Sequence, residues 1–224
     1  MATLATSRLN RLPAAERGIT IGDFLVPIRI GERLSTRARH LVLVAAGALL
    51  IYLTAQVSFH LPDSPVPVTG QTFGVLLVGG ALGFRRGFLA TLLYVAIGVI
   101  GLPAFAEHKR GLEIIASVDG GHIVLGATGG YLIGFMLASA FVGRLAELGW
   151  DRNILGAVAA MVAGNALIYV VGLPWLSLAV GFSASETIAK GLTPFLLGDL
   201  LKLLLAGAVF PFAWWVVGRR PGER

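Results

Sequence analysis

Cysteine is absent from this 224-residue chain, and charged residues make up only 13% of it. The missing cysteine excludes disulfide bonds, thiolate metal sites and cysteine nucleophiles. The sequence also lacks a P-loop, a Gly-x-Ser-x-Gly motif, and any histidine paired with a carboxylate at metal-binding helical spacing. We therefore expect a protein that is not an enzyme, hydrolyses no ATP itself, and holds no cofactor or metal.

Apolar residues, in contrast, are abundant: 56% of the chain is hydrophobic, and the mean hydropathy is +0.81. About 20 apolar residues cross the ~30 Å hydrocarbon core of a bilayer. Their runs are continuous rather than alternating, which argues against a β-barrel. The sequence predicts an all-α integral membrane protein, multi-pass in the inner (plasma) membrane, with six transmembrane helices at 41–59, 68–84, 87–105, 127–146, 153–180 and 192–218.

The basic residues are distributed unevenly about these predicted helices. Fourteen of the 18 lie in segments that share one side of the membrane, and only three lie in connections on the other side. The positive-inside rule then places both termini in the cytoplasm. We predict an arginine-rich cytoplasmic tail at 1–40, a six-helix membrane domain at 41–218 and a cytoplasmic tail at 219–224. Anionic lipid, not nucleic acid, is the expected partner of this charge.

Two segments outside the predicted helices have alternative interpretations. Residues 19–30 are semi-apolar, so they are compatible either with a helix along the cytoplasmic membrane surface or with a poorly ordered tail. The 106–126 connection is the longest on the outer side, and loops of this length are often lids or binding loops. A plain surface loop is equally compatible with its sequence.

Two opposite charges lie inside the last predicted helix, at Asp199 and Lys202. Residues three apart are about 60° apart around a helix, so both lie on one face. An ionised side chain within a bilayer costs ~3 kcal/mol on insertion scales. A self-satisfied ion pair is one explanation, but such a pair adds little stability over apolar residues. A ligand site is the favoured explanation.

Other polar residues fall at comparable depth in the outer half of the predicted bundle, and the inner half has almost none. Interfacial tyrosines and interhelical amides also occur for structural reasons. The asymmetry nevertheless predicts a pocket that opens outward and takes a small amphiphile, with its carboxylate on Lys202 and an N–H donor on Asp199. The candidate binding residues are Asp199, Lys202, Asn165, Tyr169, Gln71, Thr72 and Tyr131.

Five strings, in order along the chain, resemble the BioY family of biotin-specific S components of energy-coupling factor (ECF) transporters. They are PVPVTGQTFGVLLVGGALGFRRG (65–87), YVAIGVIGLPAFA (94–106), GATGGYLIGF (126–135), IYVVGLPWL (168–176) and GDLLK (198–202). The resemblance implies a six-helix S-component bundle with an outward-facing biotin site closed by the 106–126 loop. It also implies biotin contacts for Asp199 and Lys202, and assembly with a membrane T (coupling) subunit and two cytoplasmic ABC ATPases.

Two other function classes stay open on the sequence. One is a stand-alone, proton-coupled secondary transporter of a small carboxylated molecule, in which Asp199 would carry the proton. The other is an intramembrane enzyme or assembly protein, for which the sequence offers no nucleophile–base pair.

Overall fold

The computed structural model describes residues 19–25, 35–61 and 64–218, and this part of the chain is mostly helical. Its helices are α1 Gly22–Leu25, α2 Thr36–Gln56, α3 Gln71–Leu82, α4 Phe84–Val99, α5 Gly129–Glu147, α6 Ile154–Val180, α7 Ala184–Gly191 and α8 Leu196–Gly218. Its strands are β1 Ser58–Phe59, β2 Val68–Thr69, β3 Ala116–Asp119 and β4 His122–Leu125. β1 pairs with β2 and β3 pairs with β4, both antiparallel.

Within residues 19–25, 35–61 and 64–218, four helical segments are long and apolar enough to cross a membrane. They are α2, α5, α6 and the continuous segment Ala184–Val216, which joins α7 to α8. The six predicted crossings correspond in order to α2, α3, α4, α5, α6 and α8. Of these, α3 has only 12 residues and α4 has 16, so both are shorter than the ~20 residues that a crossing normally needs.

Helix α2, the first of the predicted crossings, begins at Thr36, five residues before its predicted start at residue 41. Ser35 caps α2, because its hydroxyl accepts a hydrogen bond from the backbone N–H of Ala38 at 3.2 Å. Arg37 and Arg39 therefore belong to the first turn of α2, within the range assigned to the N-terminal tail. Residues 1–18, 26–34 and 219–224 of the predicted tails lie outside the described residues.

The predicted helix 68–84 is wrong at both ends. Its first two residues form β2 instead, and α3 ends at Leu82 because Gly83 adopts φ 84° and ψ 179°. That conformation favours glycine and turns the chain directly into α4. Arg85 and Arg86, predicted as a connection, consequently lie in the first turn of α4.

The all-α prediction also has to be corrected to mostly helical. The outer connection 106–126 contains the β3–β4 hairpin, which turns at Gly120 and Gly121, both at positive φ. The next outer connection contains α7, which opens with a capping box between Ser183 and Glu186. These elements have four to eight residues, too short to produce a clear hydrophobic periodicity.

Glycines let α3, α4 and α5 approach one another closely. A methyl group added at Gly79 of α3 would lie 2.5 Å from the backbone oxygen of Ser139 in α5. One added at Gly143 of α5 would lie 2.4 Å from the backbone carbon of Gly83. Small residues at such contacts are typical of helix packing within membranes.

The segment 19–25 docks against the end of the bundle where α4 begins. Thr20 is buried, and the Asp23 carboxylate forms an ion pair with Arg86 at 2.8 Å. Phe24 packs edge-to-face on Trp214 of α8, with ring centroids 5.9 Å apart. This part of 19–30 therefore packs on protein, which neither sequence interpretation anticipated.

The same end of the bundle contains a buried carboxyl group, Asp151, in the turn between α5 and α6. It accepts a hydrogen bond from the Trp214 indole at 2.6 Å, and the Arg152 guanidinium lies 3.6 Å from the centre of that ring. Burial raises the pKa of Asp151 to about 6, although the Trp214 hydrogen bond and the Arg152 charge act in the opposite direction.

Replacement of Gly143 by alanine tests the glycine contact. The new methyl group would meet the backbone around Gly83, which cannot move aside as a side chain can, so we expect a loss of about 1–3 kcal/mol in unfolding free energy. Gly198→Ala is the matched control, because nothing lies within 4 Å of the added carbon. Unfolding in detergent measures both variants, and equal stabilities would contradict the close-packing explanation.

Candidate functional site

A partly open cavity lies between the first turn of α3, the N-terminal half of α5, the middle of α6, the start of α8 and the 106–126 connection. It contains about 680 Å³ of empty space when the solvent at its open mouth is included. Its walls are mainly apolar, with polar groups at a few positions. The lining residues are Val66, Pro67, Thr69, Gln71, Thr72, Phe105, Ala106, Lys109, Ile114, Thr128, Tyr131, Leu132, Phe135, Ile168, Tyr169, Phe195, Asp199 and Lys202.

Asp199 is the buried anion of this cavity, with only 3% of its surface exposed. A 3₁₀ turn at Thr193–Phe195 leads into α8 and places Asp199 in the first turn of that helix. The helix dipole favours a carboxylate there. One turn further on, the Lys202 ammonium lies 3.1 Å from Asp199 Oδ1.

Two residues of α6 engage the second oxygen of Asp199. Asn165 Nδ2 donates to Oδ2 at 3.0 Å, and the Tyr169 hydroxyl donates to the same oxygen. Asn165 and Tyr169 are four residues apart, so they share one helix face. Lys202 also donates to the Thr72 hydroxyl of α3 at 3.0 Å. One carboxylate thus connects α3, α6 and α8.

The structure brings together six of the seven predicted binding residues as cavity lining: Gln71, Thr72, Tyr131, Tyr169, Asp199 and Lys202. Asn165 lies behind Asp199, in a small adjoining crevice. Its Oδ1 is buried without a hydrogen-bond partner among the described residues. Asn165 therefore contacts the cavity through Asp199, as a positioning residue.

Two of the lining residues use their polar groups within the protein. The Tyr131 hydroxyl donates to the Gly191 backbone oxygen at 2.9 Å. The Gln71 amide donates to the Tyr94 hydroxyl, and its oxygen accepts from Thr69 at 3.2 Å. Tyr131 therefore has no free donor for the cavity, whereas the Gln71 amide keeps one N–H beyond the one given to Tyr94.

Lys109 is a second cation of the cavity that the sequence analysis did not assign. It lies in the 106–126 connection and pairs with Glu107 at 2.7 Å, and Glu107 also contacts His60 at 2.7 Å. The hydrogen bonds from Lys109 and His60 lower the pKa of Glu107. Glu107 and His108 both adopt positive φ, an uncommon conformation that periodicity cannot reveal.

The 106–126 connection is attached to the bundle at both ends. The N–H of Gly111 donates to the oxygen of Gly98 in α4 at 2.8 Å. At the other end, the Trp175 indole of α6 donates to the oxygen of Gly126 at 2.9 Å. Ile114 lies between these attachments and lines the cavity. The loop therefore forms a wall of the site.

The arrangement is suited to binding a small molecule with polar groups at more than one point. Lys202 has two of its three N–H bonds directed at Asp199 and Thr72, which leaves one donor. The Tyr169 oxygen donates its proton to Asp199 and can still accept a hydrogen bond. Phe105, Phe135 and Phe195 supply apolar walls.

Comparison with known proteins identifies the family. Residues 29–219 match the family model described as "BioY family". The chain belongs to the BioY family. The matched residues include all of α2 to α8 and every residue that lines the cavity.

Named relatives support the BioY assignment. The biotin transporter BioY of Thermotoga maritima is 35% identical over 167 residues, which is 75% of this chain and 92% of that protein. The biotin transporter BioY of Rhizobium etli is 31% identical over 176 residues, 75% of this chain and 89% of its own length. A solved structure is described as the S-component for biotin from an ECF-type ABC transporter. It matches with a TM-score of 0.70 at 22% identity, over 80% of this chain and 93% of its own, and shows that the two chains share a fold.

The buried ion pair of this BioY protein leads to a stability prediction. Lys202→Met leaves the Asp199 carboxylate buried without its cation, so we expect a loss of ~3 kcal/mol in unfolding free energy. The double variant Asp199→Asn/Lys202→Met removes both charges and should recover most of that loss. Unfolding in detergent measures each variant, and a double variant as unstable as the single one would contradict the pairing.

Proposed function

We propose that this BioY-family protein is a high-affinity biotin-binding membrane subunit that mediates biotin uptake as the S component of an ECF-type transporter. The main support is the cavity in which a neutralised Asp199–Lys202 pair adjoins apolar walls and a second cation, Lys109. Biotin has a matching chemistry: a neutral ureido ring with N–H and C=O groups, an apolar body, and a carboxylate tail.

The charge distribution supports one orientation of biotin over the other. Both lysines are paired, Lys202 with Asp199 at 3.1 Å and Lys109 with Glu107 at 2.7 Å. The two pairs differ in exposure: the Lys202 and Asp199 side chains are 21% and 4% exposed, and those of Lys109 and Glu107 are 48% and 30% exposed. Separating the buried pair would cost more, so a neutral ureido ring suits Lys202 and Asp199 better than a carboxylate does. The ureido C=O would accept from Lys202, and a ureido N–H would donate to Tyr169 or Asp199. The carboxylate would then lie near Lys109 in the loop. This orientation is the alternative to the expectation that Lys202 binds the carboxylate, and variants of Lys109 and Lys202 distinguish the two.

The proposal includes a membrane topology and a set of partners. All six helices from α2 to α6 and α8 would cross or enter the inner membrane, with both termini in the cytoplasm, and the cavity would open outward under the 106–126 loop. A membrane T subunit and two cytoplasmic ABC ATPases would supply the energy. The proton-coupled alternative gains no support from Asp199, because Lys202, Asn165 and Tyr169 already engage its oxygens.

Calorimetric titration of the purified chain with biotin tests the proposed ligand. A small molecule that uses both polar ends and an apolar body can reach about −12 kcal/mol, which corresponds to nanomolar affinity. Lipoate has the carboxylate and an apolar body without the ureido ring, so we expect it to bind far more weakly. Equal affinity for both molecules would contradict a biotin-shaped site.

Lys109→Met tests the orientation. The variant loses a charge-assisted hydrogen bond worth ~1.5–3 kcal/mol. We therefore expect its affinity for biotin to fall at least about tenfold and its affinity for biotin methyl ester to fall only slightly. Arg110→Met is the matched control, since this neighbouring cation does not line the cavity. The opposite result is that Lys202→Met loses more affinity for biotin than for biotin methyl ester, with equal losses in Lys109→Met. In that case the carboxylate lies at Lys202 and the orientation is reversed.

A further inference from the structure

A second cavity lies at the other end of the bundle, between the first turns of α2 and α4 and the last turn of α5. It opens widely to solvent and contains about 1200 Å³ of empty space when its open mouth is included. Its walls carry three arginines, Arg85, Arg86 and Arg144, against two carboxylates. The biotin proposal makes no use of this cavity.

Most of its charges are paired with one another. Asp23 engages Arg86 at 2.8 Å, and Glu147 engages Arg144 at 3.0 Å while also accepting from the backbone N–H of Phe84 at 2.9 Å. Arg85 differs from these, because it has no hydrogen-bond or ion-pair partner among the residues described. The cavity therefore has a surplus positive charge on an exposed side chain.

Two further donors lie beside that charge. Arg86 Nε donates to His40 Nδ1 at 2.9 Å, so the neutral imidazole carries its proton on Nε2 and can donate it. The N-terminus of α4 also lies at the cavity; Glu147 accepts from the N–H of Phe84, and the N–H groups of the next residues in the first turn have no partner within the helix. Arginine with adjoining N–H donors matches the oxygens of a phosphate group.

The rim of the cavity is apolar. Phe84 is 46% exposed and Leu89, one turn further along α4, is 47% exposed. Val44 of α2 lies opposite and also lines the cavity. A phosphate site that continues into exposed apolar side chains at the surface of a membrane bundle matches a lipid better than a soluble anion.

We propose that this cavity binds an anionic glycerophospholipid of the cytoplasmic leaflet. Its phosphate would lie at Arg85 and His40, and one acyl chain would follow α4 past Leu89. The assignment to the cytoplasmic leaflet rests on the proposed topology.

Native mass spectrometry of the delipidated protein tests this site, with phosphatidylglycerol and phosphatidylcholine as probes and inorganic phosphate as competitor. We expect phosphatidylglycerol to bind more tightly than phosphatidylcholine and to resist millimolar phosphate. Arg85→Gln should weaken phosphatidylglycerol about tenfold, the usual effect of one lost charge-assisted hydrogen bond. Arg37→Gln is the matched control, because it removes an exposed charge from the same end of the bundle but outside the cavity.

Three outcomes would overturn the proposal: equal losses in Arg85→Gln and Arg37→Gln, equal binding of the two lipids, or displacement of phosphatidylglycerol by inorganic phosphate. Because Arg85 has no hydrogen-bond or ion-pair partner among the described residues, we expect Arg85→Gln to fold like the parent protein, and thermal unfolding of the variant checks this. Biotin titration of the same samples separates the two proposals, since Arg85→Gln should leave biotin affinity unchanged. A failed lipid site with intact biotin binding leaves the proposed function in place.

Discussion

The buried carboxylate of Asp199 is the constraint on which the site depends. In an apolar bundle an ionised group needs several donors, and Asp199 obtains them from its own helix through Lys202 and from α6 through Asn165 and Tyr169. Lys202 extends the network to Thr72 of α3. Because each donor comes from a different helix or turn, the requirement to satisfy one charge fixes how three helices meet. The cavity forms beside that junction.

The carboxylates at the two ends of the bundle are neutralised in different ways. Around Asp199, one carboxylate is satisfied by neutral donors and a single cation, which leaves a nearly neutral polar surface. At the opposite end, Asp23 and Glu147 are each matched to an arginine, and Arg85 remains in excess. Asp151, buried under Trp214, has its pKa raised to about 6. This end combines surplus positive charge with a titratable buried acid.

Depth along each helix was sufficient to predict which polar residues would meet. Asp199, Lys202, Tyr169 and Thr72 occupy equivalent levels in separate apolar segments, and a helix converts sequence position into depth at a constant ~1.5 Å per residue. The same reasoning placed Asn165 at this level, and its amide contacts Asp199 from behind the cavity. Depth along a helix does not determine whether a side chain faces the cavity or contacts a residue of the neighbouring helix.

Features that depend on single backbone conformations could not be predicted. The positive φ of Gly83 ends α3, and the positive φ of Glu107 and His108 accompanies the turn that brings Lys109 to the cavity. Neither leaves a periodic signal in the sequence. The strands β3 and β4 are four residues each, so their pattern is indistinguishable from that of a loop. Long apolar helices were consequently predicted well, and the chain between them was not.

The shortness of α3 has a consequence for how a solute reaches the interior. Twelve residues extend about 18 Å, roughly 12 Å less than the hydrocarbon thickness, and the strand β2 with Gly70 leads directly into the start of this helix. Non-helical backbone is tolerated at such depth only where protein or water satisfies it, and Ser64 illustrates this by donating to the oxygens of Val66 and Lys190. In the proposed orientation, the non-helical chain before α3 would border the mouth of the cavity, so a charged solute could reach Asp199 and Lys202 past protein rather than through lipid.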